Sequence, residues 1–286
     1  MAKVTDTYTT SQGKLVILCD CTPPRSGDPA ALDRVGVISA DYICVAYNPG
    51  KLARADSVAA AFTIKERTGK DVIFNMATRD MNKIAMQSRL LGAQMMGLSN
   101  VVVLQGDGFT ETEAAQVKAV DDFTPTGLVT AISSMNDGLD YRGTKLRGAT
   151  DFCIGATLDL ERDLEREVNL VQRKIAAGAH YFIVQPMYDL ALRQRFLDAY
   201  EKLVGEPLTT PVFWGLQVLD KDGIVLGSVP SQMRQELDGG RSGSDIASEL
   251  LQRYVSAGIR GIYLVPPILR GGARDYDAAQ QVLETI

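Results

Sequence analysis

The stretch LERDLEREVNLVQRKIAAGAHYFIVQ (residues 160–185) contains one complete structural unit of this chain. Leu160, Leu164, Val168, Val171 and Ile175 recur at spacings of three or four residues, which lines them up on one face of a helix. Glu161, Arg162, Asp163, Glu165 and Arg166 fall on the other face and read as a solvated exterior. Asp159 is placed to cap the start of the helix, and Gly178 stands where a helix C-terminus favours a left-handed residue. Directly after it comes YFIV (181–184), apolar throughout rather than alternating. That is how a strand buried on both faces of a parallel sheet reads. The unit ends in a polar residue, Gln185.

Seven further runs of this kind occur: LVILC (15–19), YICVA (42–46), DVIF (71–74), NVVVL (100–104), DFCIG (151–155), PVFWG (211–215) and GIYLV (261–265). Gly69, Gly97 and Gly258 repeat the helix–glycine–strand join seen at Gly178. Parallel strands need such crossovers. Eight strands alternating with helices over 286 residues predict the α/β class and one (β/α)8 TIM barrel spanning residues 1–286 as a single domain. No linker divides the chain. The Gly/Ser-rich DGGRSGSD (238–245) reads as a mobile loop before the last helices and lacks the Gly-x-Gly-x-x-Gly spacing of a phosphate cradle.

Composition narrows the function classes. Hydrophobic residues make up 45% and charged residues 23%, with a net charge of −5, and no basic patch marks a nucleic-acid binder. No apolar run is long enough to span a bilayer and MAKVTDTYTT carries no signal-like core, so a cytoplasmic protein is expected. Four cysteines do not make a disulfide framework, and with a single histidine, His180, they make no zinc set. His180 precedes its strand and so falls at the end of the barrel away from the chemistry, while Trp214 lies within a strand run and reads as core.

In such a barrel chemistry collects at the C-terminal ends of the strands. The residues there are Asp20 with Cys21-Thr22-Pro23-Pro24-Arg25, Tyr47-Asn48, Asn75-Met76-Ala77-Thr78-Arg79-Asp80, Gln105-Gly106-Asp107, Gln185, Gln217 and Arg270. Carboxylates on two strand ends, Asp20 and Asp107, suit proton handling beside a heterocycle. The competing reading is an Asp that caps the next helix or ties a loop.

These stretches carry a resemblance. CDCTPPR (19–25), FNMATRDMN (74–82), VVLQGDG (102–108), NDGLDYRGTKL (136–146), KIAAGAHYFIVQPMYD (174–189) and GIYLVPPILR (261–270) stand in the order of the methylenetetrahydrofolate reductase family. The chain resembles above all the reductase half of bifunctional homocysteine methyltransferase/reductase proteins. The resemblance implies one-carbon metabolism: tightly bound FAD, NADH or NADPH as electron donor, and reduction of 5,10-methylenetetrahydrofolate to 5-methyltetrahydrofolate. It also implies a homo-oligomer.

By position, Asp20 matches the family's proton donor and Asp107 the aspartate that meets the pterin near the flavin. Gln185 matches a glutamine that serves pterin and nicotinamide in turn. Tyr47, Asn75, Met76, Ala77, Gln105, Gly106, Asp107, Glu167, Arg173 and Lys174 match cofactor-lining positions, and Gln217 and Arg270 match folate contacts. The chain departs from the family pattern at Asp20 (Glu in the family), Gln105 (Arg), Asn75 (His) and Ala46 (Thr), and Val265-Pro266-Pro267 replaces the family's tyrosine near the last strand's end. These departures keep three alternatives open: a methyltetrahydrofolate-oxidising enzyme, an enzyme fed by an electron-donor protein, or a non-catalytic folate- or flavin-binding subunit.

Overall fold

The computed structural model describes residues 1–286. Its strands are β1 Val16–Cys21, β2 Tyr42–Val45, β3 Asp71–Ala77, β4 Asn100–Leu104, β5 Cys153–Leu158, β6 Tyr181–Pro186, β7 Val212–Gln217 and β8 Gly261–Val265. Every neighbouring pair is parallel, and β1 pairs with β8, so the sheet closes into a barrel in sequence order. All eight strand runs found in the sequence are present. The helices are α1 Val4–Thr10, α2 Ser57–Thr68, α3 Lys83–Met95, α4 Glu111–Ala114, α5 Pro125–Asn136, α6 Leu164–Ala176, α7 Leu190–Val204, α8 Ser231–Asp238, α9 Gly243–Ser256 and α10 Tyr276–Leu283. None is long and apolar enough to cross a membrane.

Alternation along the strands divides the core in two. Ile17, Ile43, Phe74, Val101, Phe182, Trp214 and Ile262 point outward and pack between barrel and helices. Val16, Leu18, Tyr42, Cys44, Ile73, Tyr181, Phe213, Tyr263 and Val265 fill the interior. The period of two therefore turns Asp20, Asn75 and Gln217 inward and Met76 outward. All four cysteines are buried free thiols. Helix α1 closes the N-terminal end of the barrel: Val4 joins the interior cluster, and its N–H donates to Asn100 Oδ1 at 3.1 Å. His180 lies at that same end, where its Nδ1 accepts from Ile154 N at 2.9 Å.

The four join glycines, Gly69, Gly97, Gly178 and Gly258, all have positive φ, as a left-handed helix exit requires. Two local expectations are corrected. Helix α6 is capped by Asp163, which accepts from Arg166 N, and not by Asp159. Asp159 is spent on a preceding turn, where its carboxylate takes Glu161 N and Arg162 while its own N–H goes to Glu167. The loop expected over DGGRSGSD shrinks to residues 239–242, because Asp238 ends α8 and Ser242 caps α9. Gly243 is tight against the backbone, since a Cβ there would lie 1.7 Å from Leu219 O.

Candidate active site

The loops after β7 and β8 cover one side of the C-terminal mouth. Ile224 bridges Ile268, and Ile268 bridges Arg274, both antiparallel. Two inward strand residues fasten this cover. Gln217 is buried; its Oε1 accepts from Leu226 N at 2.8 Å and from Tyr188 Oη at 3.1 Å, and its Nε2 donates to Ile224 O at 2.8 Å. Its carbonyl oxygen and one N–H are thus engaged by the β7 loop and Tyr188.

Asp20 is the second fastening. It is 4% exposed. Tyr263 Oη donates to Oδ1 at 2.7 Å, and Arg274 Nε donates to Oδ2 at 2.7 Å. Burial pushes the Tyr263 phenol well up, and the Asp20 carboxylate adds to this. For Arg274 burial acts against the charge, but the attraction of Asp20 outweighs it and the guanidinium is held above its ordinary value. Every partner of Asp20 is a donor, so both its oxygens are used as acceptors. Beside it in register lies Cys44, whose thiol donates to Asn75 Oδ1 at 3.4 Å.

The opposite rim is built by the β2, β3 and β4 ends. Arg79 is buried and donates to Asp107 O at 2.7 Å, and its guanidinium lies 4.5 Å from the centre of the Phe109 ring. Asp107 is therefore fixed through its backbone, and its carboxylate is exposed, as is Gln105. Gly106 has φ +85°, and a Cβ there would press on Ala77 Cβ at 3.2 Å, so the turn between these two exposed residues needs glycine. Arg89 stands 5.5 Å over the ring of Tyr47, whose phenol is pushed up to about 12 by burial and then by Asp80. A cleft of about 350 Å³ opens here, lined by Asn48, Lys51, Arg79, Phe109 and Lys118 among others.

Helix α6 brings Glu167 and Lys174 against the end of β5. Both are buried. Lys174 Nζ donates to Thr157 O at 2.5 Å, and burial pulls its ammonium down while Glu167 opposes this. Glu167 Oε1 accepts from Asp159 N, and Oε2 has no hydrogen-bond partner. Arg173 points out to solvent and Met76 packs outward beneath the helices, so neither side chain faces the mouth. Arg270 sits on the outer rim, exposed and paired with Asp222 at 2.9 Å.

The mouth thus unites Asp20, Asn75 and Ala77 on the inner wall, with Gln185, Gln105 and Asp107 exposed above it. Sequence reading missed Tyr263, Arg274 and Arg54. Tyr263 had a signal, since it lies inward by the period of two on β8. Arg274 had none, because the loop that carries it follows no periodic pattern.

Fold and mouth together define a (β/α)8-barrel protein that carries carboxylates and amides at its strand C-termini. A family model described as methylenetetrahydrofolate reductase matches residues 5–220. The chain belongs to the methylenetetrahydrofolate reductase family. The 5,10-methylenetetrahydrofolate reductase of Pectobacterium carotovorum subsp. carotovorum is 23% identical over 197 residues, covering 65% of this chain and 59% of that relative. Among solved structures, an uncharacterized protein from Clostridium thermocellum that binds two copies of 5-methyl-5,6,7,8-tetrahydrofolic acid superposes with a TM-score of 0.62 at 13% identity, covering 98% of this chain and 96% of that one. The long-chain alkane monooxygenase LadA gives a TM-score of 0.55 at 10% identity, over 95% and 91% of the two chains. At such identities the likeness is one of fold.

Proposed function

We propose that the protein binds a reduced folate in the mouth of the barrel and reduces 5,10-methylenetetrahydrofolate to 5-methyltetrahydrofolate, with FAD as cofactor and NADH or NADPH as donor. The observation that carries this reading is the inward Asp20 carboxylate at the end of β1, within the segment that matches the family model. FAD fits what the chain offers beside β4 and β5. Glu167 Oε2 is a buried acceptor with no hydrogen-bond partner, faced by Arg162 Nη1 at 3.9 Å, and Lys174 uses one of its three donors on Thr157. These two, with the exposed Gln105 and Asp107, would hold a cofactor that carries both donors and acceptors. FAD supplies hydride chemistry when bound.

The chain's own residues do the rest. Gln185 and Asp107, both exposed at the mouth, present an amide and a carboxylate to the edge of the pterin. Asp20 moves the proton at the folate nitrogen. Its side chain is one methylene shorter than glutamate, so its reach depends on how Tyr263 and Arg274 hold it. The interior below is closed by apolar and aromatic side chains, which keeps bulk water out from beneath the site.

The Asp20–Arg274 pair also favours a second reading, a folate-binding barrel in which Asp20 orients the ligand and no hydride is transferred. One experiment separates the two. The purified protein is expected to be yellow, to bleach under anaerobic NADH or NADPH, and to recover its absorbance when methylenetetrahydrofolate is added. A colourless protein that takes up no added FAD yet binds 5-methyltetrahydrofolate overturns the reductase reading and supports the second.

A further inference from the structure

The CTPPR turn after β1 has no role in the mechanism above, and Arg25 ends it. Arg54, beyond β2, reaches back to this turn: Nη1 donates to Pro23 O at 3.0 Å and Nε to Pro49 O at 3.4 Å. Its third nitrogen meets Gly272 in the β8 loop. A Cβ built on Gly272 would lie 3.0 Å from Arg54 Nη2, and Arg274 Nη1 donates to Gly272 O at 3.3 Å. Two guanidiniums therefore lie against one glycine, whose φ of +88° favours glycine there. Arg274 has Asp20 as its counter-ion, whereas Arg54 binds only backbone carbonyls. Burial pushes the Arg54 guanidinium down, and the charges that act on it, Arg25 and Arg274, are both positive and push it further. In the same turn Thr22 Oγ1 is buried without a partner.

Three cations and one carboxylate leave an uncompensated positive charge at the β1–β2 side of the mouth. Guanidinium forks suit oxyanions, which they bind in bidentate fashion. We propose that Arg25 and Arg54, backed by the charge of the Asp20-bound Arg274, form an oxyanion site on this rim, which takes a carboxylate or phosphate arm of the ligand whose ring sits in the mouth. The proposal rests on the reading of the mouth as the ligand site. It deepens that reading by assigning the arm that anchors the ligand: the glutamyl carboxylates of a folate, or the diphosphate of a nicotinamide dinucleotide.

The test uses the full chain as wild type, Arg25→Gln, and Arg25→Gln/Arg54→Gln. Calorimetric titrations with 5-methyltetrahydrofolate, 6-methyltetrahydropterin (which lacks the glutamyl tail), NADPH and inorganic phosphate are compared at low and high salt. The double variant is expected to lose about tenfold or more in affinity for the folate, the scale of one lost charged hydrogen bond, and to bind the tailless pterin like wild type. The wild-type affinity for the folate falls with salt. A loss confined to NADPH and phosphate supports the site and assigns it to the dinucleotide. If the wild type binds neither pterin but the variant weakens NADPH or phosphate, the oxyanion site stands and the folate reading fails. Unchanged binding of all the anionic ligands overturns the site. Arg25 is exposed and without a structural partner, so the single variant keeps the test open should Arg54→Gln unfold the rim.

Discussion

Arg274 Nε and Nη2 both reach Oδ2 of Asp20, at 2.7 and 2.6 Å, across 254 residues of sequence, and both side chains are buried. The pair ties the loop after β8 to the floor of the mouth at the end of β1. A buried pair of this kind owes its effect more to what happens when one partner is removed than to its net attraction.

Arg274→Gln leaves Asp20 as a buried carboxylate with only Tyr263 for a partner. The expected loss of stability is about 3–5 kcal/mol. The double variant Asp20→Asn/Arg274→Gln recovers part of this, because no uncompensated charge remains. Urea unfolding of wild type and the two variants measures it, and equal stability of Arg274→Gln and wild type contradicts the pairing.

Asp20→Asn keeps shape and volume but can no longer supply the proton. Under the reductase reading turnover falls by about 10²- to 10⁴-fold with FAD content unchanged. Single-turnover reoxidation of the reduced flavin by methylenetetrahydrofolate is the direct readout. Unchanged reoxidation removes Asp20 from the reaction.

Gly215 on β7 lies where β6 is irregular between Ile183 and Pro186. A Cβ on it would stand 2.5 Å from both the Gln185 carbonyl carbon and Pro186 N, so the strand end carrying Gln185 comes this close only to glycine. Gly215→Ala is expected to cost about 1–3 kcal/mol and to weaken pterin binding through displaced Gln185. Thermal unfolding and a binding titration report the two effects separately.

His180 offers a clean pH probe because it is the chain's single histidine. Its Nδ1 accepts from Ile154 N, which needs the neutral ring, and burial followed by Lys3 lowers its basicity from the ordinary 6.5. The unfolded chain therefore binds the proton more readily than the folded one. This contribution to stability is present above pH 6.5 and is lost as the pH falls through the folded value. His180→Gln keeps an acceptor and should flatten the dependence below that pH. An identical pH profile in the two proteins would count against the assignment.

Glu113 gives the matching case for a carboxylate. Its hydrogen bond from Lys51, then that from Thr110 N, lowers it from 4.5 to about 2. The tie between the β4 loop and the β2 loop is therefore complete above pH 4.5 and released as the pH falls toward 2. Protection of the Thr110 and Glu113 amides relative to their intrinsic exchange rates should fall across that window, and Lys51→Met should lower it at neutral pH.

What could be read from the chain alone is what repeats or alternates. Eight apolar runs with their glycine joins were enough for the barrel, because a strand buried on both faces must be apolar and a helix must leave its last turn through a left-handed residue. Position at the end of a strand run made Asp20 and Asn75 legible as mouth residues, and the alternation along the strands turns both inward. The difference between Asp20 and Asp107 was not legible. Sequence presents both as carboxylates at strand ends, yet one is buried under an arginine and the other stands in solvent. That difference comes from Arg274, carried on a loop with no periodicity. Its position follows from barrel closure, which brings β8 beside β1 and sets residues from the two ends of the chain around one carboxylate. Local pattern determines the elements, and only the closed ring decides which distant charges meet.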